Sequence, residues 1–482
     1  MEQLSGLDAA FVYAETAGAA HVTFLAIYDP STAENKTVTF DDVVTHVGSR
    51  LGADRLFRSV LARVPLDLDH PYWVRDPDFD LSRHLHHLTL PSPGGWQQLC
   101  EQVSRLHEQR MDLHRPPWDG YFIDGLGHIR GVPDGAFALC FKMHHSAVDG
   151  VTGLGIATAL HDLSVDTAPP PADDWTPERR PSSLNLLART AVTYVRRPAR
   201  FVATARHSLP LLSGISASVL RALPIGHRAE RGILTGAPHT RFNQPTDSRR
   251  NFDARSFDLS AVAAARKRVA GATVNDVVLA GIGGALRRYL LDKGELPDSS
   301  LVTFIAIAEH TDPDHEHGAN QIAVARVPLG TDIADPIARL RAVHESSAGS
   351  KAFTEAVGPH AAVEYAEFLP GTLVVGMIRL MMAMHLGKYY PSARFGNTYV
   401  TTMRGPDFPI YLLGAKMIAG YGLSPFTQGN GLMHSVVSYC GRVLVSINGC
   451  PAVLPDIEHY ADCVDAAFAE LLGTRTPEPS VS

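Results

Sequence analysis

The chain has 482 residues, far more than one domain usually holds, so at least two hydrophobic cores are expected. Apolar residues make up 45%, which excludes intrinsic disorder, and the 19% of charged residues lies below the roughly 25% of an ordinary soluble domain. A net charge of -7 is too acidic for a dedicated nucleic-acid binder.

In chain order, the N-terminus carries Glu2 and has no Lys or Arg before Lys36, so no secretory signal is expected. Five cysteines (Cys100, Cys140, Cys440, Cys450, Cys463) form no C-x-x-C pair and read as reduced thiols rather than a disulfide framework or a zinc site. From Ala136 to Met143 a short apolar run after Asp134-Gly135 predicts a buried strand. His144-His145-Ser-Ala-Val-Asp149-Gly150 follows, and Val151, Leu154, Ala157, Leu160 and Leu163 then recur at helical spacing. The histidines therefore fall on a strand-to-helix connection, where a reactive group is exposed yet held by rigid neighbours.

Pro169-Pro-Pro171 and Asp173-Asp-Trp-Thr-Pro177 predict an exposed linker. Between Arg179 and Arg231 ten arginines stand against one acid, Glu230, and are interleaved with apolar residues such as Leu186, Val192, Tyr194 and Phe201. Two readings fit this stretch equally: helices lying on an anionic membrane surface, or solvated helices bridging two domains. A strand is expected over Phe252–Leu259, a helix over Ser260–Ala270, and apolar runs at Leu301–Ile307 and Gln321–Leu329. The most apolar run, Phe368–Met384, is broken by Pro370 and Arg379 and falls short of the about 20 residues of a spanning helix. Its methionines suit a buried helix or a flexible apolar lining. The expected organisation is an α/β fold in two halves: residues 1–172, a basic helical crossover over 173–250, a second half over 251–473 and a frayed tail over 474–482.

The usual nucleophile signatures are absent. There is no G-x-S-x-G, no G-x-x-x-x-G-K and no H-E-x-x-H, and Gly281-Ile-Gly283-Gly-Ala-Leu286 fails the dinucleotide fingerprint at its last position. What remains is H-H-x-x-x-D-G at a strand end. An imidazole of ordinary pKa, about 6.5, accepts a proton at neutral pH, and a base without a protein nucleophile implies direct transfer. A metal is not expected. His84, His86, His87 and the loop His310–His317 lack a second ligand pair at a diagnostic spacing.

His144-His145-Ser-Ala-Val-Asp149-Gly150, Leu4-Ser-Gly-Leu7-Asp8-Ala-Ala-Phe11, Arg115-Pro-Pro-Trp118, Val274-Asn275-Asp276-Val-Val-Leu-Ala and Gly318-Ala-Asn320-Gln321 together give the chain its family likeness. In order and spacing it resembles the bacterial wax ester synthase/diacylglycerol acyltransferase family. The resemblance implies two chloramphenicol acetyltransferase-like domains of mixed α/β sheets with an interdomain tunnel. It also implies transfer of an acyl group from long-chain acyl-CoA, a co-substrate rather than a resident cofactor, to diacylglycerol or a fatty alcohol. A cytoplasmic location, peripheral to the inner membrane or to lipid droplets, would go with that activity. Two rivals are a related enzyme acting on another lipid or polyketide alcohol, and a lipid-binding relative of low activity.

Carried over residue by residue, His145 is the general base. His144 is the weaker candidate, because successive residues at a strand end face opposite ways. Asp149 reads as structural support, through a helix cap or a buried ion pair as readily as through the imidazole. Asn275, Asp276, Gly150 and Gln321 are assigned to substrate binding or oxyanion stabilisation, with a helix cap the competing reading for the Asn-Asp pair. Pro117 and Trp118 shape packing. Two segments depart from the family pattern: Thr401-Thr-Met-Arg404-Gly405-Pro406 stands where relatives commonly carry Asn-Val-Pro-Gly-Pro, and Ile305–His310 stands where many have Pro-x-Ser-x-Arg.

Overall fold

The computed structural model describes residues 1–15, 19–147, 159–166, 169, 173–195, 237–308, 322–357, 396–425 and 429–474. Asp149, Gly150, Gln321, the arginines from Arg196 to Arg231, the loop His310–His317, the run Phe368–Met384 and the tail from Arg475 onward lie outside them.

The first half opens with β1 (Glu2–Gln3) and α1 (Gly6–Ala14), whose N-cap Ser5 accepts a hydrogen bond from the Asp8 amide. β2 (His21–Asp29) follows, and then α2 (Phe40–Arg50), started by a reciprocal Thr39/Asp42 capping box. β3 (Ser59–Ala62) and β4 (Tyr72–Arg75) join β1 in a three-stranded sheet ordered β1-β4-β3. β5 (Leu85–Thr89), α3 (Trp96–Glu108), β6 (Trp118–Asp124) and β7 (Phe137–His144) complete the half. The expected strand is β7, and every residue of it is buried, as a continuous apolar run requires of a central strand.

The described start of the crossover, 173–195, is largely exposed and is tied to the first half. Arg58 binds Asp173 through two guanidinium nitrogens and lies over the Trp175 ring at 4.7 Å, Arg180 pairs with Asp76 at 3.1 Å, and Glu178 takes the N-terminal amine at 3.1 Å. Helix α4 (183–195) buries Leu186 and Thr190 and turns Leu184, Val192 and Val195 outward.

The second half contains β8 (Asn251–Asp258), α5 (Leu259–Arg266), α6 (Val274–Asp292), β9 (Val302–Ala308), β10 (Ile322–Pro328), α7 (Pro336–Val357), β11 (Thr398–Arg404), β12 (Tyr411–Leu412), β13 (Ala415–Leu423), β14 (Leu432–Tyr439), β15 (Arg442–Gly449) and α8 (Ile457–Leu472). Its six-stranded sheet runs β10-β9-β11-β14-β15-β8, with β11 parallel to both neighbours and the other pairs antiparallel. Helix α6 is buried along most of its length, and its glycines explain the failed dinucleotide pattern. A Cβ on Gly281 would lie 2.5 Å from the Phe468 ring of α8, and one on Gly283 would lie 2.1 Å from the Leu329 carbonyl oxygen. These glycines serve close helix packing rather than a phosphate.

The sheets do not divide where the sequence was expected to divide. The other six-stranded sheet runs β12-β13-β2-β7-β6-β5, so β13, from within 251–473, pairs antiparallel with β2 of the first half over Lys416–Leu423, and β12 pairs in turn with β13. The core of the first half accordingly includes Leu412, Met417, Tyr421, Leu423 and Phe252, while a second core surrounds α6 and α8. β2 has alternating and continuous apolar stretches that must be covered on both edges, and β13 supplies the partner that the first half lacks.

Candidate active site

β7 delivers the histidine pair. It lies antiparallel between β2 and β6, with His144 opposite His21 and Lys142 opposite Thr23. The strand ends at His144 and a 3-10 turn takes over at His145–Ala147, so the two rings leave the backbone in different environments. The His144 amide donates to the Pro117 carbonyl at 3.0 Å and the His145 amide to the Ala20 carbonyl at 2.8 Å, which fixes the turn from both sides. Pro117 thus supports the site through its backbone. Trp118 packs on Phe57 and Phe141 and donates its indole N–H to the Phe57 carbonyl, which is the packing role expected of it.

His145 is half-buried, and its ring stacks on Phe11 of α1 at 3.9 Å between centroids. Its Nδ1 is buried without a hydrogen-bond partner among the described residues. Burial pushes its pKa down to about 4, with the neighbouring His144 adding to the shift and its own backbone carbonyl opposing it. The ring is therefore neutral at pH 7 and ready to accept a proton.

His144 is fully buried and engaged. Its Nδ1 accepts from the Ser146 amide at 3.2 Å and faces the Ser146 hydroxyl at 2.7 Å, which assigns its proton to Nε2. Nε2 points toward the Glu15 carboxylate at 3.5 Å. Glu15 in turn accepts from the Ala20 amide at 2.6 Å, and Ala20 is the residue whose carbonyl holds His145. The structural reading of His144 is thus the one the geometry favours. Behind it, Lys142 is buried and donates to the Leu106 carbonyl at 2.9 Å and to the Gln109 carbonyl, its pKa pushed down to about 8 by burial against the pull of Asp119. His21 and His107 complete a buried group. The His21 Nε2 donates to the His107 carbonyl at 2.5 Å, and burial holds both rings neutral.

Sequence reasoning missed Glu15 and Phe11 as neighbours of the pair. Phe11 lies inside the quoted N-terminal motif, and an acid at the end of α1 beside an otherwise apolar helix was the available signal for Glu15.

Asn275 and Asp276 occupy the first turn of α6. Asp276 is the third residue of a capping box, accepting from the Thr273 amide at 2.9 Å, and its other contact is His344 Nδ1 at 2.9 Å. Both contacts use Oδ2, and Oδ1 is buried without a hydrogen-bond partner among the described residues, so the cap accounts for one carboxylate oxygen. Asn275 differs: its Oδ1 accepts from the Thr402 hydroxyl at 2.8 Å, which leaves the Nδ2 donors without a hydrogen-bond partner among the described residues. The departing segment Thr401–Pro406 thus touches Asn275 directly. Among the described residues neither Asn275 nor Asp276 hydrogen-bonds His144 or His145.

The histidines weighed as metal ligands in the first half are occupied elsewhere. His84 Nδ1 donates to the Trp118 carbonyl at 2.8 Å and its ring stacks on the Trp118 indole, His86 approaches Asp119 at 3.7 Å, and His87 pairs with Asp124 at 2.7 Å.

Residues 4–278 match the wax ester synthase/diacylglycerol acyltransferase catalytic domain, and residues 318–472 match the C-terminal domain of the same proteins. A Mycobacterium tuberculosis protein named "Putative diacyglycerol O-acyltransferase" is 32% identical over 490 aligned residues, covering 100% of this chain and 92% of the relative. Among solved structures, the wax ester synthase/diacylglycerol acyltransferase from Marinobacter aquaeolei VT8 superposes with a TM-score of 0.66 at 27% identity, covering 97% of this chain and 98% of that one. A starter condensation domain of rhizomide synthetase shares the fold, with a TM-score of 0.54 at 13% identity over 100% of this chain and 97% of that one.

Proposed function

The chain belongs to the wax ester synthase/diacylglycerol acyltransferase family, and from that membership we propose that it moves a long-chain acyl group from acyl-CoA directly to the hydroxyl of diacylglycerol, or of a fatty alcohol, with His145 as the base. The observation that carries the mechanism is the half-buried His145 ring, held neutral at the end of β7 with Nδ1 buried. In the proposed step Nε2 takes the hydroxyl proton as the alcohol oxygen bonds to the thioester carbonyl carbon. The tetrahedral intermediate then expels the CoA thiolate, which receives that proton from the imidazolium. The Nδ2 donors of Asn275, unpartnered among the described residues, suit an oxyanion, whereas Asp276, whose Oδ2 serves the cap and faces His344, takes a supporting role. The outcome is an ester and free CoA, with no group retained on the protein.

Diacylglycerol is preferred over fatty alcohol because the name of the mycobacterial relative specifies it. Attachment to an anionic membrane or lipid-droplet surface belongs to the same reading. On α4 the side chains of Leu184 and Val195 are 79% and 81% exposed, and this helix leads into the arginine-rich stretch from Arg196. No helix among the described residues is long and apolar enough to cross a membrane.

The test is turnover of purified protein with radiolabelled long-chain acyl-CoA and each acceptor in turn, following free CoA and the labelled product. Triacylglycerol formation supports the preferred acceptor, wax ester alone moves the assignment to fatty alcohols, and CoA release equal to that without any acceptor removes the proposal. Sedimentation with anionic liposomes, lost at high salt or in an Arg196→Glu, Arg197→Glu, Arg200→Glu variant, tests the surface attachment separately.

A further inference from the structure

Away from the histidine pair, three residues distant in sequence converge where α6 ends. Asp292 is the last residue of α6, and His459 and Cys463 stand four residues apart on α8, hence on one face of that helix. One donor atom from each lies within 4.8 Å of the other two, and His459 Nε2 is 3.2 Å from an Asp292 oxygen. They border an open cleft of about 320 Å³, which Arg288 and Asp462 also line.

The surrounding charges leave this trio to itself. Arg288 binds Glu470 at 2.8 Å, Lys293 binds Asp456 at 2.5 Å, and Asp462 approaches Arg255 at 3.3 Å. Cys463 is buried, with the Asp292 carboxylate beside it. Thiol and carboxylate thus sit side by side as groups that repel once both are charged, with the Arg288 guanidinium, bound to Glu470, on the same cleft. A divalent cation would reverse that relation by displacing the thiol proton.

We propose that Asp292, His459 and Cys463 form a three-ligand site for a thiophilic divalent cation of the zinc class, clasping the end of α6 to α8. A thiolate, an imidazole and a carboxylate suit zinc and disfavour magnesium or calcium, which take oxygen ligands. Metal–ligand bonds of about 2.0–2.3 Å set tetrahedral donors roughly 3.3–3.8 Å apart, so the trio closes by about 1 Å. Asp292 and His459 have the freedom for that, with side chains 54% and 43% exposed. The fourth position faces the cleft. The site is independent of the acyl-transfer reading.

The test uses the full chain stripped with a chelator and titrated with Co²⁺ as a spectroscopic probe, then with Zn²⁺. The expected result is a thiolate-to-cobalt charge-transfer band that saturates near one equivalent and is abolished by Zn²⁺. Zn²⁺ should raise the melting temperature by about 2 °C or more when it is 100-fold above Kd, and Mg²⁺ should not. Cys463→Ser should lose the band, and His459→Ala, at a half-exposed position where folding is not at risk, should weaken Zn²⁺ binding at least tenfold. Absence of the band in the wild type, or equal Zn²⁺ stabilisation of wild type and His459→Ala, overturns the proposal.

Discussion

If His145 is the base, the acid limb of the reaction belongs at an unusually low pH. The imidazole is pushed down to about 4 from an ordinary value of 6.5, mainly by burial. At pH 5.5 a base of pKa about 4 is about 97% neutral, whereas one of pKa 6.5 is about 9% neutral, so the two cases differ about tenfold in rate. Phe11 is the handle on this shift, because its ring stacks on the imidazole at 3.9 Å and keeps water from that face. Removing it should let the pKa climb back toward 6.5. The opposing loss of a ring–cation attraction with the protonated form is worth about 0.5–1 kcal/mol, less than one pH unit, and does not reverse the sign. The assay is kcat/KM for acyl transfer from pH 5.5 to 8, with circular dichroism confirming the fold at each point. Wild type should be flat across this range, and Phe11→Ala should fall by severalfold between pH 7.5 and 5.5. A wild-type profile that falls with a midpoint near 6.5 while the fold is intact would refute the buried-base argument.

His145→Ala should lower the rate by about a hundredfold to ten-thousandfold, the range for a positioned base, as read from initial rates. His144→Ala should cost less in rate but lower the melting temperature, because it strips Ser146 and Glu15 of a buried partner. Incubation with labelled acyl-CoA and no acceptor should leave the intact mass unchanged; a stoichiometric acyl adduct would contradict direct transfer. Acid should destabilise the fold. His84 and His145 are held down to about 4 and His107 and His434 to about 3, all first by burial. The unfolded chain therefore binds more protons below pH 6.5, and stability should be intact above that value and fall as pH drops toward 4, as urea midpoints at successive pH values would record.

Much of the first half could be read from the sequence because its signals are local. β7 is a continuous apolar run closed by a polar doublet, and such a run has few alternatives to a central strand. The start of α6 was equally open to reading, since Thr273 and Asp276 stand at capping-box spacing, and the cap competed on equal terms with a role in the site. The structure separates the pair: Asp276 gives Oδ2 to the cap and His344, while Asn275 keeps its donors. What stayed hidden depends on distant pairings. Nothing in Lys416–Leu423 says that it will lie beside β2, because an alternating strand fits any edge of matching burial. Asp292 likewise gives no sign of His459 and Cys463, which meet it only after α8 docks on α6.

The pairing of β13 also bears on where this chain departs from its relatives. His145 is held by Ala20 and Pro117, both in the first half, and its ring rests on Phe11 of α1. Thr401–Pro406 lies on β11 and just beyond it, in the other sheet, and its hydroxyl contact is with Asn275. A change there acts on Asn275 without touching Ala20, Pro117 or Phe11, which hold the base. Under the proposed mechanism the divergence therefore falls on the oxyanion and acceptor side, where it alters how substrate is held, and leaves proton removal as the first half sets it. Loss of a base and loss of a donor have different signatures, since only the first moves the pH profile. Exchanging Thr402 for Ala, which frees the Asn275 carbonyl and lets its amide rotate, should change the rate at every pH alike and leave the profile in place.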